Sequence, residues 1–300
     1  MPAIRLGLVL IPIVISTLLH VLPLFIVALL KAMLPFARTR ALGNRLLTGI
    51  AQSWIGVNNT MLDRLTPTRF DVRLHGGVDL RLDGHYLVLA NHQSWVDILV
   101  LQKVFNRRIP LLRFFLKRQL IWVPLLGLAW WALDFPFMGR YTPKQIARHP
   151  ELAGRDIAAT RRACEKFRAL PVSIMNFVEG TRFTAAKQAS QSSPYAHLLK
   201  PKSGGVAYVL SAMGEALHAI LDVSIAYPAG APSMRDLLTG RVPEVRVMVR
   251  QRSIPAAFTS GDYQGDREFR VHFQRWMNGL WQNKDADIAA LLEARGDVRA

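Results

Sequence analysis

The chain has 300 residues, of which 51% are hydrophobic, and a formal net charge of +17. That is enough apolar material for one large domain or two small ones, and the charge points to an anionic partner, either nucleic acid or a membrane. A single cysteine, Cys164, excludes an intrachain disulfide and suits a cytoplasmic catalytic face. In chain order, the first element is Leu6 to Leu30, 25 residues without a charge. As a straight helix it would measure roughly 37 Å against about 30 Å of hydrocarbon. It reads as a retained membrane anchor, too long for a signal-peptide core, whose C-terminal end faces the cytoplasm because more cations follow it than precede it. Pro12 and Pro23 leave open a kinked or re-entrant helical pair lying in one leaflet.

Leu46 to Leu65 carries a helical apolar stripe. Asp71 to His75 alternates as a strand, and Tyr86 to Ala90 is a short buried strand. A helix is expected from Ser94, and Leu120 to Phe137 forms a core or interfacial helix, with partial membrane contact favoured. An amphipathic helix over Ile157 to Leu170 precedes a buried strand, Val172 to Val178. Gln188 to Pro194 is polar and Ser-rich and reads as a mobile loop. A helix (Val206 to Ala216), two strands (Ile220 to Tyr227 and Val242 to Val249) and a closing helix from Glu268 to Trp281 complete an α/β layered domain. The expected division is 1–40 for the anchor and 41–300 for the catalytic domain.

Charge placement chooses between the two anionic partners. No acid precedes Asp63, and between Asp97 and Asp134 six cations, from Lys103 to Arg118, are interleaved with Leu, Phe, Ile and Trp. Apolar side chains beside Lys and Arg suit an anionic membrane surface, although a solvated basic face would read the same way. None of the usual nucleic-acid motifs is legible, so nucleic acid is not expected.

The chemistry concentrates in two stretches. Asn91-His92-Gln93-Ser94-Trp95-Val96-Asp97 places a base five residues before a carboxylate. With Ser94 as N-cap, Asp97 is the third helical residue and points back at the loop. There it can accept a hydrogen bond from one nitrogen of His92 and leave the other free to take a proton. A plain capping box would use Asp97 for the helix alone. The second stretch, Glu179-Gly180-Thr181-Arg182, follows a strand end, where α/β sites form. Gly180 lets a phosphate approach the backbone, and Arg182 can grip it bidentately. Glu179 would hold Arg182, as surface partner or guide, or a substrate hydroxyl. Lys200 to Gly205, containing Lys202, is either a second anion site before a helix or an ordinary turn. No nucleophile elbow, His-Glu-x-x-His, paired cysteine or phosphate loop is present, and no metal is expected.

Over roughly residues 70 to 285 these residues resemble the glycerolipid acyltransferase family that includes 1-acylglycerol-3-phosphate and lysophospholipid acyltransferases. Asn91-His92 through Asp97 resembles the first family block, Phe137-Met138-Gly139-Arg140 the second, and Phe177 through Arg182 the third. Lys117 through Gly127, Pro201 to Gly205, Asp222-Val223-Ser224, and Trp276 through Asp285 resemble further pieces of the lysophospholipid branch. The resemblance implies an αβα domain docked on a membrane, bacterial inner membrane or equivalent, with its catalytic face to the cytoplasm. It implies transfer of a fatty acyl group from acyl-CoA or acyl-ACP, as co-substrate and with no other cofactor, to lysophosphatidic acid. His92 and Asp97 would be catalytic, with Arg140, Glu179, Gly180, Thr181, Arg182 and Lys202 binding substrate. Val178 and Asp222-Val223-Ser224 stand where many members carry proline, which bears on the acceptor headgroup. The alternatives are remodelling of another lysophospholipid, such as lysophosphatidylglycerol or lysocardiolipin, and a catalytically silent basic membrane adaptor.

Overall fold

The computed structural model describes residues 2–34, 36–139, 141, 143–152, 154–167 and 170–294. Helix α1 (Pro2–Met33) runs unbroken through Pro12 and Pro23 and turns back into α2 (Ala37–Leu65), so the stripe seen from Leu46 starts nine residues earlier than expected. The two helices pack side by side through a polar clasp. Trp54 donates its indole N–H to Thr17 Oγ1 at 3.1 Å, and His20 Nε2 lies 3.1 Å from Ser53 Oγ. The opposite face of α1 is bare, with Leu8, Leu19 and Leu22 each more than half exposed. Among the described residues α1 is the one helix long and apolar enough to cross a membrane, with a mean hydropathy of 2.6 over its best window.

The rest is an αβα sandwich. Its strands are β1 (Arg69–His75), β2 (His85–Ala90) and β3 (Leu112–Phe114), then a small separate pair, β4 (Leu116–Lys117) and β5 (Phe137–Met138). Strands β6 (Val172–Phe177), β7 (Ala219–Ala226) and β8 (Glu244–Arg252) complete the main sheet in the order β1-β8-β7-β2-β6-β3. Neighbours are parallel except β7 and β8. Alternation along β2 assigns the two faces. Tyr86, Val88 and Ala90 enter the core beneath α3 (Val96–Phe105), while Leu87 and Leu89 enter the core on the other side. That second core is filled by α6 (Arg155–Phe167), α8 (Ser203–Met213) and α10 (Arg267–Glu293). Cys164 is buried there, as its place in an amphipathic helix implies.

Several boundaries differ from the sequence expectation for physical reasons. Leu120 to Phe137 is not one helix but a 3₁₀ turn (Arg118–Trp122) followed by α4 (Leu126–Ala132). Pro124 removes a backbone donor, and Gly127 lies so close to the Ile121 carbonyl that a Cβ would reach within 2.0 Å of its oxygen. Trp122 and Trp131 stand exposed on this segment. Short helix α5 (Pro143–Arg148) precedes α6. The Ser-rich stretch is not a loose loop: α7 (Ala185–Ser190) opens it, and Gln188 donates to the carbonyls of Tyr195 and Ala196 at 2.6 and 2.9 Å. Ser193 Oγ also donates to the Leu198 carbonyl at 2.7 Å. A further short helix, α9 (Met234–Leu238), bears a capping box between Ser233 and Asp236. Helix α10 continues twelve residues beyond Trp281 because Lys284, Ile288 and Leu291 keep one face buried.

Candidate active site

Strand β2 delivers Asn91 and His92 to the C-terminal edge of the sheet, beside β7 and β6. Asn91 pins the loop: its amide donates to the Ile225 carbonyl at 2.9 Å and accepts from the Ile225 N–H at 2.8 Å. The His92 N–H donates to Glu179 Oε1 at 2.9 Å, and its carbonyl accepts from the Phe183 N–H at 2.7 Å. The imidazole stacks on Phe177 with centroids 3.9 Å apart. Backbone and ring are therefore both held before any side-chain hydrogen bond is counted.

The carboxylate of Asp97 is fully buried and accepts four hydrogen bonds. Oδ2 takes His92 Nδ1 at 2.8 Å and the N–H groups of Gln93 and Ser94 at 2.6 and 2.8 Å. Oδ1 takes the Tyr227 hydroxyl at 2.5 Å. A carboxylate among donors can only accept, so His92 Nδ1 carries the hydrogen of this bond, the tautomer that in a neutral imidazole leaves the lone pair on Nε2. Nε2 has no hydrogen-bond partner among the described residues. The cap differs from the expectation by one step: Trp95 already has helical angles, and regular helix begins at Val96. Ser94 still serves the first turn, its Oγ accepting from the Val96 N–H at 3.1 Å and donating to the Pro232 carbonyl.

The second stretch behaves differently from its expectation at one residue. Glu179 does not hold Arg182. It is fully buried, and its two oxygens are taken by the N–H groups of His92 (2.9 Å) and Leu199 (2.8 Å). It lies at the end of a buried strand whose direction turns it inward, where it ties the His92 loop to the segment before α8. Burial pushes its carboxyl up to about 7, against the backbone donors and the Lys284 charge that pull it down. Gly180 has φ 68°, a left-handed backbone that favours glycine, and a Cβ there would come within 3.0 Å of the flexible Lys202 side chain. Lys202, at the N-cap of α8, thus drapes its side chain over Gly180 and donates its N–H to the Val178 carbonyl at 2.8 Å. Arg182 stacks its guanidinium over the Trp95 ring at 5.1 Å. Thr181 Oγ1 and the Arg182 carbonyl both accept from Lys187 Nζ, at 2.8 and 2.9 Å. Arg140 lies outside the described residues.

His92, Gly180, Thr181 and Arg182 share one cavity of about 630 Å³, within the range of roughly 300–1,000 Å³ usual for ligand sites. It is lined from α3, α4 and the α1–α2 hairpin, largely by apolar and aromatic side chains such as Leu24, Trp54, Phe114 and Trp130. Two participants escaped sequence reading. Tyr227 is 130 residues from Asp97, and Lys187 sits in an unremarkable polar run. Nothing local marks either one, although Tyr227 closes a strand that the sequence does mark as buried.

Helices on both faces of a largely parallel sheet, with a histidine–aspartate pair at the C-terminal edge of its central strands, place the chain among αβα enzymes that bind at strand ends. The model of the acyltransferase family matches residues 71–228, more than half of the chain, and the chain belongs to that family. It is 24% identical over 221 residues to mouse 1-acyl-sn-glycerol-3-phosphate acyltransferase epsilon, covering 66% of this chain and 56% of that one. To the mouse gamma protein of the same name it is 27% identical over 216 residues, covering 67% and 52%. A shorter match, 27% over 135 residues, covers 41% of this chain and 33% of chicken lysocardiolipin acyltransferase 1. The chain spans about half the length of the first two relatives. Its fold is similar to the crystal structure of the 1-acyl-sn-glycerophosphate (LPA) acyltransferase PlsC from Thermotoga maritima, with a TM-score of 0.55 at 16% identity, covering 97% of this chain and 98% of that one.

Proposed function

We propose that this protein transfers a fatty acyl group from an acyl-CoA or acyl-ACP thioester to the free hydroxyl of 1-acylglycerol-3-phosphate, making phosphatidic acid. One observation carries the reading: His92, its ring oriented by Asp97, and Arg182 line one predominantly apolar cavity of about 630 Å³. The cavity suits an acyl chain and the guanidinium suits a phosphate.

In the proposed step Nε2 takes the proton of the glycerol hydroxyl as its oxygen attacks the thioester carbonyl carbon. The tetrahedral adduct collapses, the carbon–sulfur bond breaks, and the imidazolium returns its proton to the departing thiolate. Asp97 keeps the Nδ1–H tautomer and stabilises the imidazolium. A thiolate leaves readily, so no covalent enzyme intermediate is invoked. Arg182, Lys202 and Arg140 are proposed to hold the acceptor phosphate and so position the attack. Glu179 acts at one remove, through the His92 backbone. Residues 1–40 serve as the membrane anchor, with the catalytic domain on the cytoplasmic side of an inner membrane or its equivalent, and the cationic strip faces anionic lipid.

The decisive assay is acyl transfer by detergent-solubilised protein, wild type beside His92→Ala, with lysophosphatidic acid and long-chain acyl-CoA. Base catalysis contributes about 10²–10⁴-fold, so His92→Ala loses at least that much turnover while folding normally. Near-wild-type turnover in the variant overturns the assignment. The partial likeness to a lysocardiolipin acyltransferase favours a second acceptor class. If product forms with lysophosphatidylglycerol or lysocardiolipin and not with the phosphate monoester, the headgroup reading moves there and the chemistry stays.

A further inference from the structure

Asp97 is served unequally by its surroundings. Three donors converge on Oδ2, and all come from its own loop, within five residues. Oδ1 has one donor among the described residues, the Tyr227 hydroxyl at 2.5 Å. Tyr227 follows the end of β7 and is 3% exposed. Its position relative to the His92 loop is set independently, because Asn91 bridges both backbone groups of Ile225, two residues before it. The strand that carries the phenol and the loop that carries the imidazole are thus registered to each other at one point and joined through Asp97 at another.

We propose that Tyr227 is a positioning residue of the acyl-transfer site, its hydroxyl holding Asp97 Oδ1 so that Oδ2 stays turned to His92 Nδ1. The inference rests on the general-base reading of His92. Without that donor the buried carboxylate would keep one oxygen unpaired and be held from the donors of its own loop alone, which loosens the alignment of Oδ2 with the imidazole that Phe177 stacks against. Burial and the Asp97 charge hold the phenol well above its usual value of 10, so it stays a donor across the working pH range. Among the described residues, Glu179 from the segment after β6 acts electrostatically on Asp97, Lys284 of α10 acts in turn on Glu179, and the Arg182 guanidinium lies over Trp95, two residues before Asp97.

The experiment compares wild type, Tyr227→Phe and His92→Ala by pH profiles of kcat and KM, using the full detergent-solubilised chain. Tyr227→Phe lowers kcat by about 10–100-fold, the scale of a hydrogen bond to a charged group, and leaves both KM values at the wild-type level. Stripping a donor from Asp97 leaves more negative charge facing the imidazolium, so the acid limb of the kcat profile moves to higher pH. A merely structural tyrosine would lower Tm and scale the profile without moving that limb. If the phenylalanine variant does not fold, 3-fluorotyrosine at 227 keeps the shape and donates more strongly, moving the limb to lower pH. An unmoved limb in whichever variant folds overturns the proposal. When His92→Ala is inactive and the limb is unmoved, only the role of Tyr227 falls; when His92→Ala turns over normally, the reading beneath it falls too.

Discussion

Asp97 is fully buried and accepts four hydrogen bonds, so an amide in its place would turn an NH₂ group against at least one donor. Asp97→Asn is therefore expected to lower turnover about 10²–10⁴-fold with little change in acceptor KM, measured by steady-state kinetics. A change confined to KM would mean that the carboxylate serves binding. Glu179 makes a different prediction. Burial raises its carboxyl from the ordinary 4.5 to about 7 in the folded chain. Between those values the folded protein holds a proton that the unfolded chain has released. This group's contribution therefore makes stability fall as pH rises from 4.5 to about 7, by on the order of 3 kcal/mol, and level off above. Glu179→Gln removes that slope, read as Tm or urea midpoint across the window. Identical slopes in the two proteins would refute it. The sequence did mark Glu179, but for the wrong partner, since a strand–turn pattern does not say which side of the sheet the last side chain enters.

At the scale of elements, α10 does more than close the chain. Lys284 is fully buried and its ammonium donates to Asp222 Oδ1 at 2.5 Å and to the Val223 carbonyl at 2.6 Å, with the Leu89 carbonyl at 3.4 Å. Asp222 is also bonded by Arg252 at 2.7 Å. One helix side chain thus bridges β2 and β7 just before both strands deliver site residues. The next residue, Asp285, accepts from the N–H groups of Ala196 and His197 at 2.8 and 2.7 Å. Lys284→Met would leave Asp222 as a buried anion with a single cationic partner. Breaking a buried pair in this way costs about 3–5 kcal/mol, a loss that denaturant titration would detect; a loss below about 1 kcal/mol would show that Arg252 alone suffices. The tryptophans and Lys284-Asp285 of this stretch stand out in the sequence. Their role does not, because a buried lysine needs oxygens brought from strands far away in the chain.

For the whole molecule, the cavity belongs to no single element. The α1–α2 hairpin forms one wall and the acyltransferase body supplies the rest. The same α1 turns Leu19 and Leu22 outward, at 68% and 66% exposure, and the chain carries +17 overall. Vesicle flotation is expected to show binding that is stronger on anionic than on zwitterionic lipid and that salt weakens without abolishing, since apolar insertion is not screened. Replacing Leu19 and Leu22 together by Asp should reduce the salt-resistant part while leaving the circular dichroism spectrum unchanged. Full retention of salt-resistant binding would assign membrane contact elsewhere, with the exposed Trp122 and Trp131 next in line.

The sequence by itself determined what depends on neighbours along the chain. Strands β2, β6 and β7 were readable because buried strands are continuous apolar runs, whereas β3, β4 and β5, of two or three residues each, are too short to show a period; the His92–Asp97 pair was readable because both residues lie on one loop and its helix. The order of the motif blocks carried the family resemblance, and the uncharged run near the start carried the long apolar helix. Tertiary structure alone decided the direction of Glu179, the arrival of Tyr227 at Asp97, the strand-bridging role of Lys284, and the cavity enclosed by the α1–α2 hairpin and the acyltransferase body. Each of these joins residues far apart in the chain, where hydrophobic periodicity says that a side chain is buried but not against what.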